Sequence, residues 1–213
     1  DDAALVVSPV VADLLAAWAE ASDRNLHAKQ EVNIVSLGLP DGLLGASWPT
    51  MYSQMAVPLS FAGYITMVIA GGTIISSLSC ERLSHKLSTQ AILVVSVFLT
   101  AVAIFGFSFS SAYWQLCLWA VPYGLGAGAV DSSLNNYVSL HYKSRQMSWL
   151  HSFWGVGATL GPLIISLCLH NNLGWMWGYR IVGIIQTVLV IILFASTPLW
   201  KKNETADFKD LRE

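Results

Sequence analysis

Long apolar stretches separated by short polar clusters make up most of this 213-residue chain. No Asp, Glu, Lys or Arg occurs between Leu87 and Val130, and helices of that composition have no polar face to turn toward water. About 20 apolar residues suffice to cross the hydrocarbon core of a bilayer as a helix. Six segments of suitable length follow one another, at about 34–52, 58–79, 87–109, 113–138, 147–169 and 178–200. The pattern predicts an all-α integral membrane protein built as a six-helix bundle in a lipid bilayer.

The first segment is the shortest of the six, and Pro40 and Pro49 interrupt it. Residues 1–33 do not share the membrane pattern. Their apolar residues recur partly at helical spacing, so this leader is predicted to be either a short amphipathic helix or a stretch without regular structure. Residues 201–213 are polar and are predicted to form a cytoplasmic tail.

Composition and charge narrow the possible functions. Charged residues make up 11% of the chain, whereas a soluble domain carries about 25%. The net charge of −2 offers no basic stripe, so no nucleic-acid partner is expected. Cys80, Cys117 and Cys168 are widely spaced and lie in or beside apolar segments, which favours membrane-embedded thiols over disulfides or a metal site. No catalytic or phosphate-binding motif accompanies the spans, so an enzyme is not expected.

Positively charged residues lie on alternate loops. Six of them follow the second, fourth and sixth spans: Arg82, Lys86, Lys143, Arg145, Lys201 and Lys202. The other loops carry only Arg180. Because loops rich in Lys and Arg stay in the cytoplasm, we expect a multi-pass protein of the cell inner (plasma) membrane with both termini cytoplasmic.

Two acidic residues, Asp41 and Asp131, lie inside predicted spans. An Asp at the bilayer centre costs roughly 2.5–3.5 kcal/mol on insertion scales, and neither span contains a Lys or Arg to pair with it. Burial without a counter-charge favours the protonated form of a carboxyl, and such acids normally face a cavity on an ion or proton path. We therefore predict that Asp41 and Asp131 couple transport to protons. The alternative is that either carboxyl lies near a span end and only caps a helix.

The surroundings of the two acids are alike. Gly38 precedes Asp41 by three residues, as Gly128 precedes Asp131, and each pair lies in the first span of a three-helix half. Inverted three-plus-three repeats place ligand and coupling-ion sites at corresponding positions near the membrane midplane. The shared G-x-x-D spacing therefore predicts a common site for both acids.

Three further residues are candidate solute contacts. One face of the fourth span carries Gly124, Gly128, Asp131 and Asn135. The amide of Asn135 can bind solute hydroxyls or hydrogen-bond to Asp131. In the fifth span, His151 and Trp154 lie on one side of the helix, where a Trp beside polar groups is typical of a sugar-stacking surface. Packing explains Trp154 equally well, and His151 is equally well a satisfied histidine near the cytoplasmic end.

Two motifs connect these features to a known family. Ser77-Leu78-Ser79-Cys80-Glu81-Arg82-Leu83-Ser84 is similar to the G-x-x-x-D-R-x-G loop of the major facilitator superfamily, and Pro122-Tyr123-Gly124-Leu125-Gly126-Ala127-Gly128 resembles the glycine-rich end of its fourth-helix motif. Residues 35–202 thus resemble the N-terminal half of such a transporter. The resemblance implies half of a twelve-helix fold with three-plus-three inverted repeats, and a cytoplasmic gate loop at Glu81 and Arg82.

Within the superfamily, the chain most resembles the fucose-permease-type sugar/proton symporters. Leu39-Pro40-Asp41 matches that group's first-helix acid, and Asp131 with Asn135 matches its fourth-helix acid and amide. His151 and Trp154 fall where the group has polar fifth-helix residues. The resemblance implies proton-coupled uptake of a sugar or similar small polar solute by alternating access, with the proton as coupling ion and no other cofactor.

Two other functions stay open. The sequence Gly161-Pro162 and the glycines before it resemble a motif of drug/proton antiporters, which would export a drug or metabolite. Superfamily members have twelve spans, so six spans are predicted to need a second six-helix half, either a covalent C-terminal half or another chain. A truncated product or membrane scaffold that transports nothing is the third possibility.

Overall fold

A computed structural model describes residues 38–84, 87–141 and 144–195 of the chain. Within these ranges the protein is helical and contains no strand, so the all-α fold class is confirmed. The helices are α1 (Leu43–Gln54), α2 (Ala62–Ser84), α3 (Thr89–Phe109), α4 (Tyr113–His141), α5 (Ser144–His170) and α6 (Trp175–Ala195). The leader 1–33 and the tail 201–213 lie outside the described residues.

Four stretches of the described helices are long and apolar enough to cross a membrane: Leu59–Cys80, Thr89–Phe109, His151–His170 and Trp175–Phe194. The 29-residue α4 is longer than any of them, but its glycines, aromatic residues and amides make it less apolar. The described part of the first predicted span contributes the 12-residue α1. These features agree with a multi-pass membrane protein.

The described part of the first predicted span is irregular around its first proline, Pro40. Gly38 is helical, but residues 39–42 form turns, and α1 begins only at Leu43. Proline has no N–H to donate and its ring crowds the preceding turn, so Pro40 favours a break at this point. The break exposes backbone that would be costly in lipid, and it is tolerated here because this segment packs against α5.

The end of α2 and the start of α6 depart from the boundaries predicted from hydropathy, 79 and 178. α2 continues to Ser84, past the apolar stretch, because Glu81 and Arg82 are polar but good helix formers. α5 is followed by two left-handed residues, Asn172 and Gly174, with φ of 58° and 82°. This turn lets α6 begin at Trp175.

The helices pack in a defined sequence of neighbours. α3 lies between α4 and α6; α2 packs on the outer side of α4, while α5 packs on α6 and α1 on α5. The main apolar core is formed by residues of all six helices, and it includes the buried Met51, Phe107 and Trp175. Tyr179 stacks on Phe107 at a centroid distance of 5.6 Å.

Glycine allows α2 and α4 to approach at backbone distance. A Cβ on Gly124 would collide with the carbonyl oxygen of Ile69, and one on Gly128 with that of Thr73. From the α2 side, a Cβ on Gly72 would lie 3.1 Å from the backbone nitrogen of Leu125. Small residues at these points provide the close packing on which helix association in lipid depends.

Hydroxyl groups of α2 hydrogen-bond along the same contact. Thr73 donates to the carbonyl of Gly124 at 3.3 Å, Ser77 to that of Gly128 at 3.2 Å, and Ser76 to that of Leu125. Because these bonds cross between helices, they favour one axial register of α2 against α4.

The contact between the first span and α5 is built in the same way. A Cβ on Gly38 would collide with the carbonyl oxygen of Trp154, and one on Gly42 would lie 2.6 Å from the ring of Pro162. On the α5 side, Gly161 lies against the carbonyl of Leu39. Both first spans of the proposed halves, the one with Asp41 and the one with Asp131, thus use glycine to contact their partner helix.

We predict that Gly124→Ala destabilises the protein, whereas Gly71→Ala on α2 does not. The added methyl at Gly124 would overlap the backbone of α2, a change that costs about 1–3 kcal/mol. At Gly71 an added methyl would meet nothing within 4 Å, and alanine gains up to about 1 kcal/mol of helix propensity. Thermal unfolding in lipid nanodiscs measures both; equal stabilities for the two variants would contradict the close contact.

Candidate functional site

Asp41 occupies the turn immediately before α1, where Pro40 interrupts the helix. Its Oδ1 accepts a hydrogen bond from the Tyr123 hydroxyl at 2.8 Å, and its Oδ2 accepts one from the Trp154 indole N–H at 2.8 Å. No side-chain hydrogen bond caps α1, whose N-cap is Gly42. The carboxyl therefore joins the first span to α4 and α5 instead of capping its own helix.

Asp131 lies within α4, ten residues before the end of that helix, so it is not a cap either. Its Oδ1 accepts a hydrogen bond of 3.0 Å from the amide nitrogen of Asn135, one turn further along. The amide oxygen of Asn135 is buried and has no hydrogen-bond partner among the described residues. Asn135 thus orients Asp131.

Both acids open onto one cavity of about 390 Å³. Its described wall also includes Thr73, His151 and Trp154, together with apolar residues from α2 and α4. No Lys or Arg is among the described residues that line it. The volume is in the range of small-molecule sites, and the only charged side chains in this part of the wall are carboxyl groups and, when protonated, His151.

His151 and Trp154, the two candidates of the fifth span, both line this cavity from α5. The His151 Nδ1 lies 2.9 Å from the carbonyl oxygen of Met147. Because a carbonyl can only accept, Nδ1 carries the hydrogen in this contact and Nε2 remains available. The Trp154 side chain is 46% exposed while its N–H is bound to Asp41, so much of its ring surface is accessible.

Asn135 is not among the residues that line the cavity. The four-residue face predicted on α4 is in fact divided between two surroundings: Gly124 and Gly128 contact α2, and Asp131 reaches the cavity. The cavity stripe of α4 is instead Tyr123, Ala127, Val130, Asp131 and Leu134. The α4 face that contacts α2 and the face that lines the cavity are adjacent on the helix. Sequence spacing alone does not show which of two adjacent faces a residue such as Asn135 belongs to.

A second cavity, of about 660 Å³, adjoins the first. The two share four wall residues: Pro40, Asp41, Ile69 and Tyr123. The second is lined mainly by apolar and aromatic side chains of α1, α2, α3 and α6. Apolar side chains predominate in both walls. We call the first the polar cavity, because both acids and His151 line it, and the second the apolar cavity, because Asp41 is the only charged residue among its described lining. Asp41 lies where the two cavities meet.

Tyr123 is the site residue that sequence reasoning missed. It is only 8% exposed, and its hydroxyl donates to Asp41. Its sequence surroundings, Pro122-Tyr123-Gly124, suggest only a glycine-rich packing motif. The sequence feature that could have identified Tyr123 is its position two helical turns before Asp131, because this spacing places both residues on the same side of α4.

Of the predicted cytoplasmic gate, the structure describes the side chain of Arg82, which lines neither cavity. Glu81 and Arg82 fall in the last turn of α2, and Arg82 is exposed. The side chain of Glu81 lies outside what the structure describes.

Several known proteins are similar to this chain. "Bypass of stop codon protein 6" of Saccharomyces cerevisiae is 25% identical over 151 residues, which cover 70% of this chain and 29% of that protein. "Probable sphingolipid transporter spinster homolog 1" of Arabidopsis thaliana is 24% identical over 149 residues, covering 68% and 30%. "Protein TsgA homolog" of Buchnera aphidicola is 24% identical over 143 residues, covering 64% and 36%. The chain spans about a third of the length of these relatives.

The family comparison covers far more of the chain than any single motif does. The model of the Major Facilitator Superfamily matches residues 32–211, which include every described helix and both acids. This match confirms the superfamily implied by the motifs of α2 and α4. The chain therefore belongs to the Major Facilitator Superfamily, a family of secondary transporters.

Proposed function

We propose that this chain forms one half of a proton-coupled secondary transporter, whose solute binds in the cavity between Asp41 and Asp131. The observation that carries the proposal is that these two carboxyls share one cavity whose described wall contains no Lys or Arg. Protons are then the simplest means of neutralising them. Asp41 and Asp131 would take up and release the proton, and Asn135, His151 and Trp154 would orient or contact the solute.

The hydrogen bonds of Asp41 suggest how protonation could change the site. A carboxylate is a much stronger acceptor than a neutral acid, and bonds to it are roughly twice as strong as neutral ones. Protonation of Asp41 would weaken its hold on Tyr123 of α4 and Trp154 of α5. The proton would thereby alter contacts between helices that alternating access has to rearrange.

A sugar or similar small polar solute, taken up with protons, fits the polar cavity. The accessible ring of Trp154 lies beside the acceptor oxygens of Asp41, so a sugar could stack on the ring and donate its hydroxyls to the acid. The fucose-permease-type specificity is a proposal that rests on the resemblance of the motifs.

Export of a less polar solute in exchange for protons is the second candidate. The specific observation in its favour is the apolar cavity of about 660 Å³ that adjoins Asp41. The Arabidopsis relative carries the name of a probable sphingolipid transporter, which is also consistent with an apolar solute.

We further propose that a second six-helix half completes the site. Asp41, Asp131, His151 and Trp154 are all exposed, so the described residues enclose the cavity incompletely. In alternating access one bundle rocks against another around a shared site, and these six helices supply one wall. Both termini would be cytoplasmic, in the plasma membrane, with Glu81 and Arg82 near the cytoplasmic end.

Asp41→Asn and Asp131→Asn should each abolish accumulation of solute driven by a pH gradient, because an amide cannot carry the proton. Solute exchange without a gradient should persist in at least one variant, since the cavity keeps its shape. Uptake in proteoliposomes of the full-length protein measures both. Gradient-driven accumulation at the parent rate in both variants would exclude the proton role.

Trp154→Leu should raise the solute KM more than Trp154→Phe, because only phenylalanine keeps an aromatic face. Aromatic stacking is worth about 0.5–1.5 kcal/mol, which corresponds to roughly a two- to tenfold difference in affinity. Trp177→Leu, outside both cavities, is the matched control and should leave KM unchanged. Equal KM values for the two Trp154 variants would contradict stacking.

Cysteine labelling tests the orientation. With a membrane-impermeant maleimide, Asn171→Cys should be labelled in intact cells and Arg82→Cys only after permeabilisation, because the two exposed positions lie at opposite ends of the bundle. Two of the native thiols, Cys80 and Cys168, are buried, and the parent protein measures their background. The reverse labelling pattern would place the termini outside the cytoplasm.

A further inference from the structure

The hydrogen-bond donors in the described wall of the polar cavity already bond to other groups of the protein. The hydroxyl of Tyr123 and the indole N–H of Trp154 both go to Asp41. The hydroxyl of Thr73 lies within bonding distance of two helix carbonyls, and that of Thr100 donates to Val97. Gln186 is fully buried and offers no accessible amide.

The groups that remain are acceptors. Asp41 and Asp131 keep oxygen lone pairs that the described hydrogen bonds do not use, and neutral His151 keeps Nε2. A ligand that complements this wall must therefore bring donors. Because two carboxyls and no Lys or Arg are among the described lining, a cation is favoured and an anion is disfavoured.

The apolar cavity contains fewer polar groups. Apart from Asp41, the polar groups in its described wall bond within the protein: the Trp48 N–H to the carbonyl of Leu59, the Thr66 hydroxyl to that of Gly63, and the Tyr179 hydroxyl to Ser47. A solute with many hydroxyls would lose more hydrogen bonds to water there than Asp41 could replace. A hydrocarbon group would gain from burial instead.

We infer that the substrate is an amphipathic amine, with its ammonium group at Asp41 in the polar cavity and its hydrocarbon part in the apolar cavity. Asp41 belongs to both walls, so one molecule can satisfy both requirements at once. The inference rests on the proposed function and develops its second candidate, the less polar solute. It selects a donor-bearing cation with an apolar group over a sugar, whose hydroxyls match only the polar side.

A ligand series on the unmodified full-length protein in nanodiscs tests the inference by equilibrium binding, without any ion gradient. Octylamine should bind. Octyltrimethylammonium, which keeps the charge but has no N–H donor, should bind at least about tenfold more weakly, as expected for loss of a hydrogen bond to a charged group. Methylamine lacks the apolar chain, octanol and octanoate lack the cation, and L-fucose lacks both, so each should also bind more weakly than octylamine.

Two matched glycine variants test the apolar cavity. Gly45 lines it, and a Cβ there meets nothing within 4 Å, so Gly45→Phe should fill the cavity without disturbing the helix. This variant should weaken octylamine binding at least about tenfold and leave methylamine binding unchanged. Gly63→Phe, which is equally open but outside both cavities, should bind octylamine like the parent.

Three results would contradict the amphipathic amine as substrate. Binding of octanoate or L-fucose as tight as that of octylamine would overturn the inference, as would unchanged octylamine binding in Gly45→Phe. Because no gradient is used, loss of proton coupling in the transport assay would refute the proposed function while leaving the binding result intact. Proton-coupled transport of a sugar without octylamine binding would refute only the amphipathic amine.

Discussion

The carboxyl of Asp41 lies in a helix bundle beside a cavity whose described wall carries no Lys or Arg, and much of the local structure stabilises this carboxyl. The Tyr123 hydroxyl and the Trp154 indole each donate to one of its oxygens at 2.8 Å. These two bonds come from different helices, so the same carboxyl that needs stabilisation also joins the first span to α4 and α5. A carboxyl inside a membrane bundle is costly, and its hydrogen-bond partners reduce that cost.

The bonds at Asp41 depend in turn on how closely the helices approach. Gly38 lies against the carbonyl of Trp154, which brings the backbone of α5 next to the residue three positions before Asp41. Gly128 lies against the carbonyl of Thr73, and Asp131 follows it by the same three positions. Each G-x-x-D sequence therefore combines a close helix contact with an acid that reaches the shared cavity. The same short sequence motif thus determines both the packing of the helices and the position of the acid in the site.

Membership of the Major Facilitator Superfamily and the arrangement of the cavities address different questions. The family match establishes a class of secondary transporters. The relatives are only 24–25% identical to this chain, and the matched part covers 29–36% of their length, so the solute has to be argued from the cavity wall itself. In the described wall, the hydrogen-bond donors already bond to other groups of the protein, and hydrogen-bond acceptors remain available to a solute. The apolar cavity begins on the other side of Asp41. This distribution favours a cationic amphiphile over a sugar.

The sequence by itself determined the all-α membrane class and the superfamily, because apolar length and short motifs are local properties of the chain. It also singled out Asp41 and Asp131, since a charge in an apolar stretch is conspicuous without any structure. Only the tertiary structure showed that Tyr123 hydrogen-bonds to Asp41. It also showed that Asn135 bonds to Asp131 without lining the cavity, and that a second, apolar cavity begins at Asp41. These facts depend on which helices meet and on a rotation of about 100° between adjacent positions of α4, and helix–helix contact is not encoded in the spacing of any one segment.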